Sequence, residues 1–163
     1  MRLKIFSLLL LLLTVGCVTT PPPENIPRAA LSFPSEALMT QRAVLTVRGR
    51  QFTLNGYVAK SEARGLRLVV TENFGDVLAD VLVKPDGGVF VVQAKPPLRA
   101  DWVDRYIAAD LKCIFGNGME TNCPVKILSP THSVIQRRWY KLDLQIVEIK
   151  PGAQPPGLFD EIP

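Results

Sequence analysis

The stretch Leu66 to Ala94, LRLVVTENFGDVLADVLVKPDGGVFVVQA, constrains the fold more than any other part of the chain. Two clusters of turn-forming residues, Asn73-Phe74-Gly75-Asp76 and Pro85-Asp86-Gly87-Gly88, divide it into three apolar runs. Gly and Asp supply the backbone angles that tight turns require, so the stretch reads as three antiparallel strands. Parity tests the pairing. With Phe74-Gly75 at the tip of the first turn, Val70 faces Ala79, Leu68 faces Val81 and Leu66 faces Val83. With Pro85 to Gly88 as the second loop, Val83 faces Phe90 and Val81 faces Val92. Every residue on that face is apolar. The other face carries Arg67, Thr71, Asp80, Lys84 and Gln93 among apolar residues. Side chains alternate along a strand, so a register error would mix the two sets. One wholly apolar face requires that the rest of the chain cover it.

The preceding segment extends the same face. Arg42 to Arg48 and Gln51 to Lys60 read as two strands joined at Gly49-Arg50, with Val47 opposite Phe52, Leu45 opposite Leu54 and Ala43 opposite Gly56. A loop from Ser61 to Gly65 then sets Val58 opposite Leu68 and Gly56 opposite Val70. Gly56, inside a strand, marks a bend. Five consecutive strands sharing one apolar face make a mainly β fold: a strongly curved, half-open antiparallel barrel.

The periodicity changes at Ala100. Val103, Tyr106, Ile107, Asp110, Leu111 and Ile114 share one helical face up to Phe115, and only Asp110 among them is polar. Asp101 and Asp104 stand near the start, where negative charge is favourable, and Gly116 and Gly118 end the helix. An amphipathic helix following an open sheet covers that sheet. Beyond it, Pro124 to Leu128 reads as a short strand. Ser133 to Ile149 reads as one or two more, with Leu142, Leu144 and Ile146 alternating against Asp143 and Gln145.

The N-terminus indicates the compartment. Arg2 and Lys4 precede an apolar run, Ile5 to Leu13, that is too short to span a bilayer, as in a signal peptide. Leu13-Thr14-Val15-Gly16-Cys17 resembles the bacterial lipobox, in which the cysteine is acylated and becomes the first mature residue. An ordinary signal peptide that happens to contain a cysteine is the plainer alternative. Val18 stands where inner-membrane retention would favour Asp, which points to the outer membrane, with the domain facing the periplasm. Thr19 to Pro27 is a Pro-rich tether, extended at ~3.1 Å per residue. The organisation expected is a signal over 1–16, an acylated Cys17 and tether over 17–30, a half-barrel domain over 31–150 and a loose tail over 151–163.

In an oxidising compartment Cys113 and Cys123 are natural disulfide partners; two reduced buried thiols are the alternative. A metal site is disfavoured, because His132 is the only histidine and no CxxC spacing occurs. His132 reads as a loop histidine. Loss of Arg2 and Lys4 with the signal leaves 17 of the 19 basic residues against 15 acidic ones, too weak a bias for nucleic acid. Arg137-Arg138-Trp139-Tyr140 reads as an exposed strand end rather than a nucleic-acid patch. The chain has no G-x-S-x-G, H-E-x-x-H or P-loop motif. Asp101, Asp104 and Asp110 read as a solvated or capping set rather than catalytic carboxylates. Nothing points to an enzyme or a cofactor.

With these residues in view, Leu66 to Gly75 and the later Pro85-Asp86-Gly87-Gly88-Val89 resemble the lipoprotein-sorting (Lol) receptors and carriers of Gram-negative bacteria over roughly residues 40 to 95. From end to end the chain is more evenly similar to a family of uncharacterised bacterial lipoproteins of the same predicted fold. The resemblance implies an incomplete barrel whose apolar cavity is covered by helix and binds acyl chains. It also implies an apolar loop residue before a glycine that hands cargo to the membrane, and Phe74 holds that place. The expected cavity lining is Leu66, Leu68, Val70, Val81, Val83, Phe90 and Val92. The expected ligand is an acyl or other long apolar chain. A barrel packed with its own side chains, binding an envelope protein, is the alternative.

Overall fold

A computed structural model describes residues 32–116, 123–152, 154 and 157–159. The expected signal peptide, Cys17 and the tether lie outside the described residues. Eight strands form one antiparallel sheet: β1 (Glu36–Val47), β2 (Arg50–Ser61), β3 (Gly65–Thr71), β4 (Val77–Val83), β5 (Val89–Ala94), β6 (Val125–Ser129), β7 (His132–Gln136) and β8 (Tyr140–Pro151). Their order across the sheet is β5-β4-β3-β2-β1-β8-β7-β6. β5 and β6 are its edges and do not pair, so the sheet curls without closing. Each neighbouring pair but β1–β8 is a sequential hairpin, which makes the fold a meander with β8 returning beside β1. The fold is the mainly β, half-open curved antiparallel barrel with a helix.

The helix, α1, runs over 100–115 between β5 and β6. It comprises two α segments, Ala100–Trp102 and Ala108–Phe115, with a π segment, Val103–Ile107, between them. In the π segment the amide of Ala108 reaches back five residues to the carbonyl of Val103. Val103, Leu111, Ile114 and Phe115 are buried on the concave face of the sheet among Met39, Leu45, Val58, Leu68 and Val81. The sheet's one-sided apolar pattern and the helix's apolar stripe therefore satisfy each other.

The hairpins show which parts of the register follow from parity. β3 and β4 pair as expected, with Leu66, Leu68 and Val70 opposite Val83, Val81 and Ala79. The β2–β3 pairing is also as expected. The β1–β2 turn differs. Its two residues are Arg48 and Gly49, at φ 48° and 80°, and they set Leu45 opposite Phe52 and Ala43 opposite Leu54. Two successive positive-φ residues match the strand twist in a two-residue hairpin. The shift of two residues preserves parity, so the same side chains remain inside.

The β4–β5 register is a correction. Lys84 pairs with Gly88, and Gly87, at φ 88°, sits in the left-handed region, which gives a three-residue loop ending in a glycine bulge. Val83 therefore faces Val89, and Val81 faces Val91. A second bulge leaves Val92 without a partner and restores the expected register at Asp80 and Gln93. Between the two bulges every side chain is inverted. Phe90 and Val92 point outward, 40% and 45% exposed, and Val89 and Val91 take their places against the core.

The convex face is less open than the sequence implies. Arg67 forms a bidentate ion pair with Asp80 at 2.9 and 2.7 Å, and Val69, Leu82 and Ala59 are buried there. Within the segment expected to be a loose tail, Pro151 ends β8, Gln154 binds Glu36 and the Lys60 carbonyl, Leu158 accepts from Arg67, and Arg64 lies over the Phe159 ring at 4.8 Å.

The two faces make a direct test. Val92→Thr is expected to change stability by no more than ~0.5 kcal/mol. Val81→Thr places a hydroxyl in a fully buried apolar site and is expected to cost about 1–3 kcal/mol, read by urea denaturation. Equal losses would mean that Val92 shares the buried face.

Candidate functional site

The space between α1 and the concave face holds a cavity of about 50 Å³. Its sheet wall is built from Gln41, Ala43 and Leu45 on β1, Leu54 and Asn55 on β2, Leu68 and Val70 on β3, and Tyr140, Leu142 and Leu144 on β8. The roof is α1, from Trp102 to Phe115. Apart from the adjacent pair Leu54 and Asn55, the sheet residues here alternate along their strands, so the apolar wall follows from period-two patterning. Of the seven residues expected to line a cavity, Leu68 and Val70 do so. Val81 is fully buried outside the wall. Leu66 and Val83 face a separate crevice of about 370 Å³ at the opposite end of the barrel, bounded by Lys60, Pro85, Asp86 and Lys112. Phe90 and Val92 lie on the outer surface. The cavity is thus shifted toward β1 and β8, elements whose part in the wall depends on the β1–β8 closure.

The antiparallel order places three turns at one end of the barrel: Arg48-Gly49, the β3–β4 turn and the β7–β8 turn. Phe74 sits in the second and is 94% exposed; Trp139 sits in the third and is 54% exposed. The Phe74 turn is a tight one: the Gly75 amide donates to Glu72 at 3.0 Å, and Gly75 has φ 89°. Arg138 lies over the Trp139 ring at 5.2 Å. The N-terminal half of α1 reaches this same end, with Trp102 packed edge-on against Tyr140 at 5.2 Å.

The roof is fastened at both ends, by different means. At its C-terminal end the Cys113–Cys123 disulfide ties it to the start of β6, with Cα atoms 5.6 Å apart. Lys112 Nζ donates to the Gly87 carbonyl at 2.8 Å, and Phe115 stacks against Phe33 at 5.2 Å. The N-terminal end has no side-chain cap and none of its first three residues is buried, but Leu98 before them and Val103 after them are, and these anchor it.

Between the two ends lies an ion pair that the sequence did not reveal. Asp110, expected on a solvated or capping face, is only 2% exposed. Arg137 donates to Asp110 Oδ1 from Nε at 2.9 Å and from Nη2 at 2.6 Å, and the Tyr140 hydroxyl donates to Oδ2. The cluster pins the middle of α1 to the β7–β8 turn. Removing one partner of such a buried pair typically costs about 3–5 kcal/mol, because the other charge is left uncompensated. Arg137 and Tyr140 are accordingly not an exposed strand end; only Arg138 and Trp139 are exposed there. Burial pushes the Tyr140 pKa above its usual value, and the Asp110 charge and hydrogen bond push it further. Burial works against the charge of Arg137, but its hydrogen bond and attraction to Asp110 outweigh this and raise its pKa. His132 is likewise not a free loop residue: it begins β7 and its Nε2 lies 2.7 Å from Asp143 Oδ1.

Among the described residues no group of three or more His, Cys, Asp or Glu side chains is placed to hold a metal ion. No described helix is long and apolar enough to cross a membrane. No protein-family model and no curated protein matches the chain.

The cluster predicts an alkaline transition. A tyrosine whose pKa is raised in the folded state keeps its proton there while the unfolded chain loses it near pH 10, so its contribution is complete below pH ~10 and falls as pH rises above that value. Wild type is expected to lose stability more steeply than Tyr140→Phe between pH ~10 and 12, by up to ~1.4 kcal/mol per pH unit. Parallel slopes in denaturation experiments would remove Tyr140 from the account.

Proposed function

We propose that the chain is a lipid-anchored periplasmic binding protein, not an enzyme, that takes an acyl or other long apolar chain between α1 and the concave face of the barrel. The observation that carries this reading is the apolar cavity under α1, reached at the end of the barrel that also presents Phe74. Binding is driven by removal of apolar surface from water, at ~25 cal/mol per Å² before ordering costs. The cavity is far smaller than the ~300–1,000 Å³ of typical ligand sites. A long chain therefore requires α1 to lift. The π segment supports this, because such bulges are a weak point in a helix and occur often at functional sites. Cys17 would carry the anchor, with several acyl chains holding the protein to the outer membrane. Phe74, with no burial in its own turn, would touch the bilayer or the delivered chain.

The small volume also favours a second reading: a scaffold lipoprotein whose barrel is filled by its own side chains and whose exposed Phe74 and Trp139 bind an envelope protein.

Uptake of a fluorescent fatty acid separates the two. Wild type is expected to bind it, and Leu68→Trp, which fills the cavity wall, to lose binding while remaining folded. Val81→Trp lies outside the wall and should only overpack the core, at about 1–3 kcal/mol. A wild-type protein that takes up no fatty acid would leave the scaffold reading.

Phe74→Glu tests the contact role. Stability is expected to stay within ~0.5 kcal/mol, since the side chain is on the surface. Transfer of bound fatty acid to phosphatidylethanolamine and phosphatidylglycerol vesicles should slow at least several-fold. Unchanged transfer would remove Phe74 from the mechanism.

A further inference from the structure

One residue does not belong in an apolar cavity wall. Gln41 lies on the inward-facing phase of β1, between Met39 and Ala43, and is only 6% exposed. Its side-chain Oε1 is buried and has no hydrogen-bond partner among the described residues. Native proteins rarely leave such an atom unpaired, since the acceptor has given up water and received nothing in return.

The surroundings do not supply the missing donor. Gln41 pairs across the sheet with Gly56, which has no side chain, and with Ile146, which has no polar group. Two other polar side chains of the wall are engaged elsewhere. Asp110 accepts from Arg137 and Tyr140, and Asn55 Nδ2 donates to Asn73 at 3.3 Å. A trapped water generally needs two to four polar partners, and this wall has few to spare. The backbone is also irregular here. The β1–β8 register shifts between Thr40 and Gln41, so Val147 is extruded to the surface, 66% exposed, beside Gln41's strand partner. Gly56 is held so close to β3 that a Cβ there would lie 2.1 Å from the Val69 carbonyl oxygen. The sheet is thus tightly drawn around Gln41, yet its acceptor is unsatisfied.

We propose that the ligand carries a hydroxyl group on its apolar chain and that this hydroxyl donates to Gln41 Oε1. The inference rests on the cavity being a ligand site, as proposed above, and names the chemical class: a hydroxylated long chain rather than a bare hydrocarbon or an ester. A hydroxyl is a compact donor that an apolar chain can carry to a buried acceptor, and the remaining wall, from Leu45 and Leu54 to Leu142, suits the methylenes beside it. Gln41 acts as a specificity residue. Apolar contacts supply most of the affinity, and one hydrogen bond to an otherwise orphaned acceptor discriminates.

Decan-1-ol and decyl methyl ether have matched chains, and only the alcohol can donate. Their binding to the full chain is measured by isothermal titration calorimetry, with wild type, Gln41→Leu and, should the first variant not fold, Gln41→Met. Wild type is expected to bind the alcohol about tenfold more tightly than the ether, the ratio one net hydrogen bond confers. The variants should bind both equally, with the ether no weaker than in wild type. Equal wild-type affinities, or a preference that survives loss of Gln41, would overturn the assignment while leaving the cavity as an apolar site. Binding of neither compound to wild type would overturn the ligand-site reading itself, and this assignment with it.

Discussion

Everything in this molecule follows from the sheet having one face that water cannot be allowed to wet. Alternation along β1 to β4 and along β8 directs Met39, Leu45, Val58, Leu68, Val81 and Leu144 to the same side. The twist of adjacent strands curls that side inward. Because β5 and β6 do not pair, curling alone cannot seal it. α1 is the only described helix, so the open seam and the sheet's interior share one cover. The disulfide, the Lys112 contact and the Asp110 cluster are the means of holding that cover in place. None of them would be required in a closed barrel.

The cover is held by interactions of different strengths along its length. The Cys113–Cys123 bond is covalent and the Asp110 cluster is buried, whereas Trp102 and Tyr106 contribute aromatic edge contacts that are individually worth about 0.5–1.5 kcal/mol. Local opening follows the weakest contacts first. Both ends of α1 are fastened, the C-terminal end covalently and the N-terminal end, which lies over the part of the cavity nearest Phe74 and Trp139, by burial of Val103 and by aromatic contacts.

Local information made much of this legible. The turn residues at 73–76 and 85–88, the alternation around them and the 3.6-residue stripe from Val103 to Ile114 all lie within a few residues of one another in sequence. What failed did so for identifiable reasons. Counting Pro85 to Gly88 as a four-residue loop overlooked the bulge that Gly87 introduces, and one uncounted residue inverted Phe90 and Val92. The β1–β2 turn lies one residue earlier than the glycine suggests, which shifts the register by two residues, so the faces are kept. Asp110 was misread because its partners, Arg137 and Tyr140, are 27 and 30 residues away. A polar residue alone on an apolar helical stripe was the available signal, and the Arg137-Arg138-Trp139-Tyr140 run was its complement. The wall residues on β1 and β8 were missed for a similar reason: β8 comes beside β1 only when the chain returns across about a hundred residues.

The position of Gln41 argues that the cavity is more than imperfect packing. Packing defects in cores are generally apolar and are tolerated because their cost grows with volume, and 50 Å³ is small. A leucine at position 41 would fill much the same space without burying an amide. Keeping a carboxamide there costs desolvation of its oxygen that no partner among the described residues offsets. In the proposed reading that cost is recovered when a chain bearing a donor enters and Gln41 gains its hydrogen bond.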